Sequence, residues 1–442
     1  MELRPFRALR YDWNRVAIAE VVAPPYDVID DAQRDRLYAR HPHNVVRLIL
    51  NRDVDRYTSA ASHSAEWIDG GILRPDDTAA LWLYVQNFAH DECAFERTGV
   101  IGTVRLEPFS DGHIRPHERT LSGPKEDRLR LLEACRINLS PIFGLYANQD
   151  HALDEAREVA ARHAPQVDVV DDQTVRHRLW RLASDAVLAN LSGTLANETI
   201  FIADGHHRYE TALAYRDRLR AGGQLAADDP ANFILMYLCS MNDPGLLVLP
   251  THRILRSLPS FDRREFVVEM RKTFQVRSLP RSASGRRDLL RSLARTDSLP
   301  RFGVVIQGDD ALYEIGLPSF AAIDRTAPEL PPVVRQLDVT ILDRLILRDL
   351  LGLDADQAAR AGQIRFSHDD DDAFASIDGN AAQIAFILGP PDLAQVQAVC
   401  LSGETMPQKS TYFYPKLLSG LLFNPLTAEP DASRPRAAVA DG

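Results

Sequence analysis

The segment TIFIADG (199–205) runs directly into HRYETALAYRDRLRAG (207–222). The first is a short apolar run bounded by a turn, the pattern of a buried strand. The second has helical spacing and a terminal glycine. A buried strand that turns at once into a helix commits the chain to packing helix against sheet. The junction itself, Asp204-Gly205-His206-His207-Arg208, gathers polar groups where the helix begins. Free N–H groups at a helix start attract anions, and Arg208 adds a fork of donors. Asp204 could cap the helix and Gly205 could supply an unusual backbone angle. Those roles leave His-His-Arg unexplained, so this junction is the leading candidate site.

The surrounding pattern predicts an α+β (mixed α/β) fold. Strands are expected at 16–23, 45–50, 80–89, 97–108, 140–147 and within 232–250, and helices near 30–40, 57–73, 125–136, 151–163 and 173–188. After about residue 250 the character changes. FGVVIQG and ALYEIG predict a hairpin, DVTILDRLILRDLLGL an apolar helix, and the Asp369–Asp372 run a solvated hairpin tip. The expected organisation is a domain over 1–250, a second, smaller α+β domain over 251–426, and a disordered tail over 427–442.

Composition narrows the function classes. The net charge of −11 opposes a non-specific nucleic-acid binder, which needs a basic footprint. Cys93, Cys135, Cys239 and Cys400 are widely spaced, without a CxxC pair, which excludes a disulfide scaffold or a cysteine zinc knuckle. No run approaches a membrane span, and the opening MELRPFRALRYDW lacks an apolar signal region, so a cytoplasmic protein is expected. Of the 51 basic residues only Lys125, Lys272, Lys409 and Lys416 are lysine. A GC-rich codon bias explains the arginine excess. Lysines that persist against it point to places needing a compact ammonium.

Two further constellations carry chemistry. RPHERTLSGPKEDR (115–128) sets His117 and Glu118 among cations that include Lys125; a carboxylate there suits a general base, and the cations suit an anion. SGETMPQKSTYFYPKLLSG (402–420) offers Lys409, Ser410, Thr411 and Lys416 for a small polar or phosphorylated ligand. Each also reads as a solvated loop. His113 and His117 are four apart, but Pro116 between them opposes a helical zinc pair. APPYDVI (23–29) reads either as a rigid turn presenting Tyr26 and Asp27 or as a structural polyproline turn, and DPGLLVLPTHR (243–253) places His252 and Arg253 after a strand, for packing rather than a pocket edge.

In order, RPFRAL, APPYDVI, PHERT, KEDR, SPIFGLY, ADGHHRYETAL, PTHR and MPQKSTYFYPK resemble the bacterial family called domain of unknown function 1015 over almost the whole chain. PHE, DGHHR after a strand, and the KST stretch also resemble, more distantly, the free L-serine kinases of the ParB/sulfiredoxin-like superfamily. That likeness is confined to the three motifs and AQIAFILGPPDLAQVQAVCLSGE. It implies a ParB/sulfiredoxin-like N-terminal domain and a kinase that phosphorylates free L-serine, or a similar metabolite, with ADP or ATP and Mg²⁺. It further implies Glu118, Asp204 and His207 as catalytic residues, with Asp204 on the metal. His117, Lys125, Gly205, His206 and Arg208 would bind nucleotide phosphates, and Lys409, Ser410 and Thr411 the acceptor. Phe413 stands where the kinases use a histidine, and this chain is much longer. His206 replaces the reactive cysteine of sulfiredoxins, and no basic helix-turn-helix like that of ParB proteins is seen. Two other readings stay open: a nucleotide-binding regulatory protein without acceptor chemistry, and a metal-dependent hydrolase using His206, His207 and Asp204.

Overall fold

The structure, a computed structural model, describes the chain except residues 119–121, 150, 224, 260, 296–298 and 428–442, and the side chains of 122–124. Apart from residue 427, the expected tail therefore lies outside the described residues. The fold is mixed α+β. Contacts divide the chain into two compact units: Met1–Pro116, Thr120–Leu246 and Pro415–Gly442 form the first, and His117–Arg119 with Leu247–Tyr414 the second.

The first unit is built on a nine-stranded mixed sheet. Its order is Ile114–Pro116, Ile200–Asp204, Ile142–Tyr146, Phe233–Ser240, Cys93–Arg105, Leu81–His90, Arg176–Leu182 and Val167–Val170, with Leu3–Arg4 added alongside Cys93–Arg105. Leu81–His90 and Cys93–Arg105 form the expected hairpin, closed by Asp91 (φ 46°) and Glu92 (φ 64°). Two positive φ values in a two-residue connection match the twist of the strands it joins. Phe233–Ser240 is buried along its whole length and pairs parallel with Ile142–Tyr146. Leu83, Val100, Ile142, Ile202 and Met236 join Tyr209 and Ala212 of the His206–Ala221 helix in one core. The helix thus covers the sheet, as the strand-to-helix junction requires.

Three local expectations in this unit give way. VAIAEVVA contains a helical turn, Ile18–Val21, and VVRLIL another, Val46–Ile49. Both runs are too short for periodicity to separate strand from helix. The second is started by Asn44, whose side-chain oxygen accepts from Val46 N at 3.0 Å. The expected helix at 173–188 is a strand, Arg176–Leu182, followed by a helix from Asp185. The strand pairs with both Leu81–His90 and Val167–Val170, and the buried His177, Leu179 and Leu182 fit its place inside the sheet.

The second unit holds a six-stranded sheet, Gln275–Pro280, Ala311–Gly316, Arg301–Ile306, Ile384–Leu388, His252–Leu255 and Ile364–Ser367, antiparallel throughout. The expected hairpin is Arg301–Ile306 with Ala311–Gly316. Leu289, Leu293, Phe374 and Ile377 pack helices onto Ile254, Val305 and Ile387. The Asp369–Asp372 run is not a hairpin tip. Asp369 caps the Asp370–Asp378 helix, accepting from Asp371 N at 2.8 Å, and the other carboxylates occupy the first turn. That placement suits the positive end of the helix dipole. The apolar DVTILDRLILRDLLGL stretch is α-helical over Asp338–Ile341 and continues as a wider π-type turn over Leu342–Arg348. Among the described residues, no helix is long and apolar enough to cross a membrane.

Candidate functional site

In the first unit the strand Ile200–Asp204 delivers the DGHHR motif. Its pairing with the neighbouring strand slips between Ile202 and Asp204, where Ile202 faces Gly144 but Asp204 faces Phe143. Such a bulge re-aims the side chain that follows it. Gly205 has φ +93°, and a Cβ there would lie 2.9 Å from the Arg208 guanidinium. The glycine is needed for backbone angle and for room, because Arg208 folds back over it. Arg208 Nη2 donates to Asp204 Oδ2 at 2.8 Å, and its other terminal nitrogen to the Pro141 carbonyl. Gly205, not Asp204, holds the helix-cap position. His206 is buried at the first helical residue, and His207 is half-buried beside it.

The second cation on Asp204 is Lys416, whose Nζ donates to Oδ1 at 2.5 Å. The side chains of Asp204, Arg208 and Lys416 are only 14%, 16% and 13% exposed. Burial pushes the Asp204 carboxyl up, but the charges of Lys416 and Arg208 outweigh it and hold the group well below the usual carboxylate range. Lys416 is fixed through its backbone: Gln86 Nε2 donates to its carbonyl at 3.1 Å, and the fully buried Arg97 guanidinium donates to the Pro415 carbonyl. Lys416 belongs to the third sequence motif but was not among its assigned binding residues. Its rarity as a lysine and its place in a motif suited to a phosphorylated ligand were the signals pointing to it.

Lys125 is paired with Glu210 of the His206–Ala221 helix. Arg128 lies 4.1 Å from the centre of the Tyr26 ring and donates to the Ile49 carbonyl at 2.7 Å. Burial, then the charge of Asp27, pushes the Tyr26 phenol up to about 12. Tyr26, Arg128 and Arg208 line a cavity of about 60 Å³ whose other walls include Leu132, Leu139 and Ile234.

The second unit gathers the PHE and KST motifs. Glu118 Oε1 accepts from the backbone N–H groups of Ser410 at 3.0 Å and Thr411 at 3.1 Å, and from the Thr411 hydroxyl at 3.3 Å. The Thr411 hydroxyl also shares a hydrogen bond with His117 Nε2, 2.6 Å away. His117 is 1% exposed, and its ring stands edge-on to Phe413. Met406 N donates to the His117 carbonyl at 2.8 Å. Lys409 is exposed and holds the left-handed angle φ 56°. Its carbonyl accepts from Arg253 Nη2 at 3.2 Å. Arg253 is itself 5% exposed; burial pushes its guanidinium down to about 10, against the charges of Glu118 and Asp343. Sequence reasoning assigned Arg253 to packing and missed this hold on the loop. His252 is a core histidine: its Nδ1 accepts from Leu388 N at 3.2 Å, and burial lowers it to about 4.

Both oxygens of Asp204 are engaged by cations, Oδ1 by Lys416 and Oδ2 by Arg208. Among the described residues, no group of three or more His, Cys, Asp or Glu is placed to hold a metal ion. His113 pairs instead with Glu107 at 2.7 Å.

Comparison with solved structures finds distant likenesses. A free serine kinase variant in complex with AMP is 14% identical, with 70% of this chain and 86% of that chain covered and a TM-score of 0.35. A conserved hypothetical protein from Pyrococcus furiosus is 14% identical, covering 71% and 91%, with a TM-score of 0.34. SbnI with a C-terminal truncation, from Staphylococcus aureus, is 12% identical, covering 74% and 87%, at 0.34. No curated protein matches the chain. A family profile described as protein of unknown function (DUF1015) matches residues 3–340, and the chain belongs to that family.

Proposed function

We propose that the protein is a small-molecule kinase that transfers a phosphoryl group from ADP or ATP to the hydroxyl of free L-serine or a similar metabolite. The observation that carries this reading is that Glu118, 292 residues from Ser410 in sequence, is bonded to the Ser410 and Thr411 amides. Two motifs that resemble those of the serine kinases thus meet as one structural element. Phosphoryl transfer relies mainly on positioning and electrostatics, and both clusters offer these.

In this reading Glu118 accepts the proton of the acceptor hydroxyl. The loop amides and Thr411 hold its carboxylate in one orientation, and His117 supports Thr411. On the donor side, Lys416, Arg208 and the first N–H groups of the His206–Ala221 helix receive phosphate oxygens, with His206 and His207 beside them. Asp204 keeps the two cations apart and aligned until the phosphates arrive. Lys416 takes the charge-neutralising role that sequence reasoning gave to Lys125 or Lys409. Magnesium would accompany the nucleotide rather than be held by Asp204.

The test is incubation of purified protein with L-serine, Mg²⁺ and ADP or ATP, with phosphoserine measured by mass spectrometry. Phosphoserine that disappears in Glu118→Gln, with nucleotide binding kept, is the expected result. Unchanged turnover in that variant would overturn the role of Glu118. One observation favours a second reading: three donors already occupy Glu118 Oε1, as in a structural latch. Nucleotide binding with no dependence on any hydroxyl acceptor would favour a regulatory protein instead.

A further inference from the structure

In the first unit the strand Arg176–Leu182 carries a buried histidine that the proposed chemistry does not use. His177 is 0% exposed, and its Nε2 lies 3.1 Å from Asp171 Oδ2. Asp171 is itself aimed: its Oδ1 accepts from Gln173 N at 2.8 Å and from Val175 N at 2.9 Å, leaving Oδ2 for the ring. An ionised carboxylate only accepts, so Nε2 carries the ring hydrogen. Burial holds the ring below its ordinary pKa, against the opposing pull of Asp171, so the imidazole is neutral at pH 7 and Nδ1 is left as an acceptor. Tyr84 OH donates to Nδ1 at 2.7 Å, and Gln86 Nε2 lies 3.5 Å from it. The same Gln86 nitrogen donates to the Lys416 carbonyl at 3.1 Å, while the Gln86 oxygen accepts from Arg97. Burial pushes the Tyr84 phenol up, and the Leu418 N–H, directed at its oxygen, draws it back.

A chain of buried polar groups is costly unless its members are satisfied, and when satisfied it specifies one arrangement. The cross-strand neighbour of His177, Val169, fills its place with carbon alone and needs no such partners. What the histidine adds is direction. We propose that His177 is a positioning residue for Lys416: Asp171 fixes its hydrogen on Nε2, Nδ1 then sets Tyr84 and Gln86, and these hold the Lys416–Leu418 backbone that places the ammonium on Asp204. The inference rests on the kinase reading only in taking Lys416 as a phosphate-binding group; the hold on Lys416 is independent of it.

With four lysines in the chain, each can be followed separately. The full chain is exposed briefly to acetic anhydride, and acetylation of each lysine is read by peptide mass spectrometry. Lys125, paired with Glu210 in the same unit, reports general loosening, and the exposed Lys272 reports the reagent dose. The expected result is that His177→Ala acetylates Lys416 about fivefold faster, the shift that one lost hydrogen bond permits, with Lys125 and Lys272 unchanged. His177→Gln, whose amide can donate to Asp171 and accept from Tyr84, should stay near wild type. Unchanged Lys416 labelling in His177→Ala, an equal rise at Lys125, or a rise in His177→Gln as large as in His177→Ala overturns the proposal. Should His177→Ala fail to fold, Tyr84→Phe replaces it, and Lys416 labelling as slow as in wild type overturns it equally. ADP binding to the same proteins, measured by calorimetry, separates the two readings. Lys416 released by the substitution in a chain that binds no ADP would keep this inference and sink the kinase reading; ADP bound by wild type, with Lys416 indifferent to His177, would do the opposite.

Discussion

Asp204 and Glu118 are both carboxylates engaged by partners from distant sequence, yet they are held by different physics. Asp204 is neutralised by full charges, Lys416 and Arg208. Glu118 is cradled chiefly by neutral dipoles, two amides and a hydroxyl. A partner with full charge is lost at great cost, because the survivor stays buried and uncompensated. A neutral cradle loses only hydrogen bonds. The first arrangement therefore couples its members tightly, while the second sets direction without fixing net charge. An anionic ligand would compete with Asp204 for its cations.

The sharpest way to break this contrast is Asp204→Ala. It strands Lys416 and Arg208 together and is expected to lower stability by about 3–5 kcal/mol in chemical denaturation. Because the folded carboxyl titrates below its unfolded value, its contribution is complete above the unfolded pKa near 4. It is lost as pH falls below that value toward the folded one. Melting curves of wild type between pH 5 and 2 should show this acid loss, and Asp204→Asn should remove that part of it.

Glu118→Ala is expected to cost less, about 1–3 kcal/mol, with Glu118→Gln nearer wild type because its carbonyl still accepts from the two amides. A loss in Glu118→Ala equal to that in Asp204→Ala would erase the distinction between the two cradles.

Lys409→Gly sharpens the second site further. Glycine adopts the left-handed angle freely, so stability should be unchanged or rise by up to about 1 kcal/mol, while the carbonyl bonded by Arg253 remains. Any fall in phosphoserine yield then belongs to the ammonium alone. Smallest of all, Lys272→Arg should move stability by less than about 0.5 kcal/mol, since Lys272 pairs with Glu269 on an exposed helix face.

Local pattern foretold much of the fold. The hairpin over Leu81–Arg105, the strand ending at Asp204 and the helix after it all follow from patterning and turn chemistry within a dozen residues. VVRLIL failed because Asn44, a capping residue just outside the run, decided between two conformations that its apolar content leaves equal. The Glu118 cradle was legible as motifs but not as contacts. The Asp204–Lys416 pair, 212 residues apart, has no local signature. The scarcity of lysine and the third motif drew attention to Lys416 without naming its partner, and the same scarcity also marked Lys125, which instead pairs with Glu210. Arg97 and Arg253 were invisible as anchors because nothing nearby in sequence names the carbonyls they hold.

The return of the chain to the first unit at Pro415 has a consequence for biosynthesis. Asp204 leaves the ribosome 212 residues before Lys416, and the buried Arg97 318 residues before the Pro415 carbonyl it holds. During that interval Asp204 has only Arg208 as a cation, and the sheet lacks the closing segment that contributes Phe423 and Leu426 to its cores. The nascent first unit must wait, incomplete, while the whole second unit is translated. Final assembly of the charged cluster thus follows synthesis of Leu247–Tyr414, and a chain halted before Lys416 would carry the DGHHR motif without its second cation.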